Sequence, residues 1–135
     1  MHVAINGYFW NRPDTGSGQY TRQLVYYINR YVSDLKLTIV YPHAGDARDV
    51  PPSVDVKHVA ARGGHLGKVL FEQFGFPNAC RQMDADLAHV PYWGPPLRSP
   101  VPLVVTVHDL ITLAVREYRS GLLSLIHISE PTRPY

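Results

Sequence analysis

The sequence predicts an α/β domain, a doubly wound parallel sheet with helices on both faces. Short apolar runs rich in β-branched residues recur along the chain, and segments of helical spacing or flexible connection separate them. The last run, Leu103-Val104-Val105-Thr106-Val107, is too short for a helix and reads as a buried strand of a parallel sheet. It stops on the polar pair His108-Asp109. In open α/β sheets the ligand crevice lies beyond the carboxyl ends of the strands, so this pair is the leading candidate for chemistry.

Val3 to Tyr8 forms the first strand, and Phe9 to Gly18 is a loop dense in turn residues: Asn11, Pro13, Asp14, Gly16, Ser17 and Gly18. Tyr20, Leu24, Tyr27, Ile28 and Tyr31 then recur at helical spacing and predict an apolar stripe that packs on the sheet. Leu37 to Tyr41 is a second strand, Pro42 to Pro52 a polar connection, and Val54 to Val59 a third strand. After a flexible break at Arg62 to Gly67, a second helix covers Lys68 to Met83 with an interruption at Pro77, whose ring removes a helical donor. Leu87 to Val90 is a fourth strand, and the proline-rich stretch Pro91 to Pro102 leads into the fifth. No internal repeat is present.

Composition narrows the function classes. A chain of 135 residues with 45% hydrophobic residues can bury one ordinary core. A net charge of +2, without a Lys/Arg run, does not suit nucleic acid. The single cysteine, Cys80, cannot form an internal disulfide, which fits a reducing compartment. No apolar stretch approaches the roughly 20 residues of a membrane span. Asn6, Asn11, Arg12 and Asp14 break any signal-peptide core. A soluble, cytoplasmic domain is the expectation.

The loop Asp14-Thr15-Gly16-Ser17-Gly18-Gln19-Tyr20 places two glycines where a strand turns into a helix. Glycine permits close approach of a ligand to the backbone, and free N–H groups at a helix start favour a phosphate. The alternative is a tight turn with Ser17 as N-cap. Thr21 stands where the dinucleotide fingerprint requires glycine. Gly67-Lys68 is no P-loop, because Arg62 and Val69 occupy the positions of its first glycine and its Ser/Thr. His43, His58, His65 and His89 show no metal-ligand spacing, and His89 within a strand reads as a packed, hydrogen-bonded residue. At a strand end, a neutral His108 can donate to a sugar hydroxyl or a developing charge. The alternative there is an Asp-capped turn with a structural histidine.

Together these segments resemble the family 4 (group 1) glycosyltransferases. Gly16-Ser17-Gly18-Gln19-Tyr20-Thr21-Arg22-Gln23-Leu24 is similar to the family's opening pattern G-x-G-R-Y-x-x-x-L, with Gln19 where arginine is common. Phe71-Glu72-Gln73 with Pro77, then Asp84-Ala85-Asp86-Leu87-Ala88-His89-Val90-Pro91, resembles its middle segment. Val104-Val105-Thr106-Val107-His108-Asp109-Leu110 resembles the strand carrying its active-site histidine. The likeness covers Met1 to about Arg119.

The resemblance implies the Rossmann-like N-terminal, acceptor-side domain of a GT-B fold, in which two such domains face across a cleft. It implies transfer of a sugar, such as mannose in glycan or glycolipid synthesis, from a nucleotide-sugar donor to a sugar or lipid-linked acceptor. Configuration would be retained, and neither metal nor cofactor would be needed. His108, beside Asp109, would lie against the donor sugar, and Gly16, Ser17 and Gly18 would approach the donor phosphates. Tyr8, Trp10, Asn11, Tyr92 and Trp93, on loops after strands one and four, would offer acceptor-binding surface. A lipid-linked acceptor would bring a cytoplasmic enzyme into peripheral contact with the inner membrane face, although Arg62, Lys68 and Arg81 are too scattered to define a basic face.

The string Leu123 to Arg133 resembles the translation of a sequencing-library adapter, the alternative being a native amphipathic tail. Residues 1–122 are therefore expected to be an incomplete N-terminal domain, and residues 123–135, including His127, to lie outside any site. The donor-binding domain would follow, so the chain alone is expected to be inactive. In a sheet ordered 3-2-1-4-5, truncation would leave the His108 strand as an edge. Other GT-B enzymes, such as a nucleotide-sugar 2-epimerase, and a non-enzymatic flavodoxin-like binding module are the rival assignments. A receiver is disfavoured because Asn6-Gly7 and Lys57-His58 stand where its acidic residues belong.

Overall fold

A computed structural model describes residues 1–111, and the adapter-like tail lies outside the described residues. The elements run β1 (His2–Asn6), α1 (Gly16–Tyr31), β2 (Lys36–Tyr41), β3 (Asp55–His58), α2 (Gly64–Leu70), a π-helical turn (Phe71–Gly75), α3 (Phe76–Gln82), β4 (Leu87–Val90) and β5 (Leu103–Val105). Five parallel strands are ordered β3-β2-β1-β4-β5, the order and Rossmann-like α/β class expected from the sequence. Among the described residues no helix is long and apolar enough to cross a membrane.

Strand alternation sends Val3, Ile5, Leu37, Ile39 and Tyr41 to one face, where they pack with Val25 of α1 and with Trp10. Ala4, Val40, Ala88 and Val90 face the other way, against Phe71, Phe76, Ala79 and Cys80. Burial pushes the Cys80 thiol up to about 12, which leaves it an unreactive core residue.

Two helices depart from the sequence expectation. The face of α1 turned to the sheet carries Gly18, Thr21 and Val25, with Ile28 half-buried beside them. The expected stripe is rotated: Tyr27 and Tyr31 are exposed and stack on each other, 6.1 Å between centroids. Small residues let the helix approach the sheet, and the bulky tyrosines are left on the flank. The second helical segment begins earlier than expected, at Gly64, and bridges Pro77 through the π-helical turn. There the Phe76 N–H reaches back to the Phe71 carbonyl, so the backbone widens just before the proline ring.

The last strand is also different. Its ladder runs to the Thr106 N–H on the Val90 carbonyl (3.0 Å) and stops there. β5 is accordingly three residues long and lies at the sheet edge, with Val104 44% exposed rather than buried.

The helical segment over β1 and β4 buries an ion pair, Lys68 Nζ to Glu72 Oε1 at 2.9 Å. Removing one partner of a buried pair leaves an uncompensated charge, at a cost of about 3–5 kcal/mol. Lys68→Met should therefore lower the denaturation free energy by that order. Lys68→Met combined with Glu72→Leu should restore much of it, as read by urea unfolding. A double variant as unstable as the single would contradict the pairing.

Candidate functional site

The chain runs β1, β2, β3 to one side and then returns to place β4 and β5 on the other, so the strand order reverses between β1 and β4. Ligand crevices of α/β sheets lie at such reversals, beyond the carboxyl ends of the strands. Asn6 ends β1 there and is buried. Its Oδ1 accepts from the Tyr8 N–H (3.0 Å) and the Tyr92 hydroxyl (3.2 Å), tying the loop after β1 to the loop after β4. Its Nδ2 has no hydrogen-bond partner among the described residues.

Tyr92 backs onto the Lys68–Glu72 pair, whose ammonium lies 5.4–5.8 Å from the ring centroids of Tyr8, Phe9 and Tyr92. Burial, then the Glu72 carboxylate, pushes the Tyr92 phenol well above its ordinary range, so it stays a protonated donor. A Cβ at Gly94 would stand 2.4 Å from the Tyr92 ring and 2.6 Å from Glu72 Oε1, so glycine lets the loop close over the pair. Gln73, on the π-helical turn, holds that loop through the Pro95 carbonyl and the Leu97 N–H.

His108 is exposed beyond β5, and its Nε2 donates to the Pro91 carbonyl at 2.8 Å. Its ring meets Tyr20 of α1 edge to face, centroids 4.7 Å apart. The Tyr20 hydroxyl in turn lies 3.3 Å from Thr106 Oγ1, which also bonds His89 Nε2 at 2.9 Å. The two motifs that the sequence singled out, the glycine loop leading into α1 and the histidine strand, are thus joined through Tyr20. Asp109 Oδ1 accepts from the Ile111 N–H at 2.7 Å, which makes it a turn cap rather than a partner of the imidazole.

The glycine loop is built differently from expectation. Thr15, not Ser17, is the N-cap of α1: its backbone is extended, and its hydroxyl accepts from the Gly18 N–H at 3.0 Å. Ser17 lies inside the first turn, its carbonyl accepting from the Thr21 hydroxyl. A Cβ on Gly18 would stand 2.0 Å from the Arg12 carbonyl oxygen, so this glycine serves the packing of helix on loop. Gly16 faces open space. Of the three expected phosphate-proximal residues, Gly16 and Ser17 remain at the helix start, and the Gly18 N–H is spent on the cap.

The acceptor-side residues divide likewise. Trp10 is 1% exposed, its indole N–H on the Arg48 carbonyl (2.7 Å) and the Arg22 guanidinium over its ring. Asn11 is spent on Tyr41, Asp46 and the Arg48 N–H, fastening its loop to the β2–β3 connection. Tyr92 is 1% exposed. These three are structural, because their polar atoms and ring faces are already used inside the fold. Tyr8 is half-buried, and Trp93 keeps 36% of its surface exposed.

Asn6, Tyr20, Lys68, Glu72 and Thr106 were not singled out as site residues from sequence. A polar residue ending the central strand and a Lys/Glu pair at helical i, i+4 spacing were the only local signals. A cavity of about 370 Å³ lies elsewhere, at the amino ends of the strands, lined by His2, Lys36, Thr38, Asp55 and Lys57 among others. The carboxyl end remains the better candidate, because it gathers the buried network and the two motifs. No protein-family model matches this sequence, and no curated protein matches it either.

Two predictions separate packing from binding here. Gly18→Ala should destabilise by about 1–3 kcal/mol through overpacking, whereas Gly16→Ala should be neutral or gain up to about 1 kcal/mol of helix propensity. Thermal unfolding of both variants checks this, and equal effects would contradict it. Burial lowers the His89 pKa below the ordinary 6.5, so the unfolded chain binds this proton more readily. The stability contributed by neutral His89 is complete above that value and lost as the pH falls through the lowered one. His89→Gln should flatten the corresponding fall in a series of urea midpoints measured downward from neutral pH.

Proposed function

We propose that this chain is the acceptor-side domain of a retaining glycosyltransferase of GT-B type. The observation that carries it is the joining, through Tyr20, of the α1 start to His108 beside the β1–β4 reversal. Sugar transfer needs an anionic leaving group to be held and a sugar to be oriented at one place. The N–H groups of Gly16 and Ser17 at the α1 start suit the diphosphate end of a nucleotide sugar. His108, which packs against the Tyr20 ring of the same helix, suits the sugar that the diphosphate carries. Trp93 and the half-buried Tyr8 offer ring surface to an acceptor sugar or a lipid-linked acceptor.

In the proposed reaction, the bond from the anomeric carbon to the diphosphate oxygen breaks, and a bond from that carbon to the acceptor oxygen forms. The acceptor proton leaves with the diphosphate. A second domain would supply the nucleotide contacts, so this chain alone should not transfer sugar. Catalysis would be positioning and electrostatic stabilisation.

The test uses the gene's complete reading frame, assayed with a panel of nucleotide sugars. His108→Ala should lower kcat about 10²–10³-fold. Because the side chain is exposed, stability should change by only about 0.5 kcal/mol. Loss of turnover in proportion to loss of folded protein would assign His108 to structure alone. Absence of transfer with every donor would remove the glycosyltransferase assignment.

A further inference from the structure

We infer that the Pro91 carbonyl and the Tyr20 ring hold His108 as the Nε2–H tautomer, so that the atom offered to a ligand is Nδ1, a hydrogen-bond acceptor. A carbonyl oxygen can only accept, so the 2.8 Å contact from His108 Nε2 to Pro91 requires the proton on Nε2. In the neutral ring this leaves Nδ1 with its lone pair. Among the described residues, Nδ1 has no hydrogen-bond partner. The ladder between β4 and β5 ends at Val90, and the carbonyl of the next residue, Pro91, accepts from the ring.

Tyr20 fixes the other degree of freedom. Its ring stands at 79° to the imidazole with 4.7 Å between centroids. Tyr20 is itself held by its hydroxyl near Thr106 Oγ1, and Thr106 by His89 on the neighbouring strand. Pro91 and Tyr20 therefore act through His108 and are positioning groups.

The consequence for catalysis rests on the sugar-transfer assignment above, whereas the tautomer does not. With its only proton engaged, neutral His108 accepts a hydrogen bond from a ligand hydroxyl instead of donating one. This reverses the donor role that the sequence suggests. Donation towards a departing diphosphate would require a second proton on Nδ1. A sugar with a hydroxyl facing Nδ1 would be preferred over one lacking it, since the lone pair would otherwise lose its partner on desolvation.

The test needs no ligand. Long-range proton–nitrogen spectra of the uniformly ¹⁵N-labelled full chain distinguish a protonated from a bare ring nitrogen. They are recorded at about pH 9, where imidazoles are neutral, with His108→Gln to assign the ring. The wild-type spectrum should show protonated Nε2 and bare Nδ1 at positions free of tautomeric averaging. Tyr20→Phe, which keeps the ring contact, should preserve that spectrum. Tyr20→Ala should move both His108 nitrogens towards the averaged positions of a short histidine peptide while leaving the distant His2 ring unchanged. Averaged positions or a protonated Nδ1 in the wild type would overturn the inference, and that readout does not depend on any variant folding. An unchanged His108 spectrum in Tyr20→Ala would remove Tyr20 as a positioning residue. Failure of the complete enzyme to transfer sugar would leave the tautomer result standing, so the two failures are distinguishable.

Discussion

A buried amide at the end of the central strand sets the terms for the rest of this structure. Asn6 cannot face water, so its oxygen must be satisfied from within, and the donors come from both sides of the strand-order reversal. The Tyr8 N–H turns the first loop sharply after β1. The Tyr92 hydroxyl draws the second loop inward, and Tyr92 settles on the ion pair of Lys68 and Glu72. Gly94 and Gln73 then keep the second loop against the helical segment. A polar cluster of this kind adds little net stability over an apolar core, but it defines one arrangement of the loops.

That arrangement positions the histidine. The β4–β5 ladder ends at Val90, and the carbonyl of the next residue, Pro91, receives the His108 ring. The α1 side contributes Tyr20, so the site is assembled from residues as far apart in sequence as Tyr20 and Thr106. The small residues on the buried side of α1 allow the helix to lie close enough for this contact.

The parallel sheet was legible because strand signals are local. Leu87–Val90 matches its expected span, and the strand order follows from alternation and crossover rules. The face of α1 and the N-cap were less legible. Thr15 and Ser17 are both good caps, and the choice depends on a Gly18 contact with Arg12 that no periodicity reveals. Trp10, Asn11 and Tyr92 look like loop residues free to meet a ligand. Their partners are Arg48, Tyr41 and Asn6, each more than 25 positions away in sequence. The π-helical turn before Pro77 is likewise a tertiary outcome, since the sequence marks only a break.

The proposed transferase should meet its ligands at the carboxyl ends of β1, β4 and β5. Amide chemical-shift mapping of the ¹⁵N-labelled chain with millimolar nucleotide sugar tests it most directly. Shifts clustered at Gly16, Ser17, Trp93 and His108 are the predicted result. Shifts confined to the opposite cavity, around His2, Lys36 and Lys57, or no shifts at any concentration, would contradict the claim.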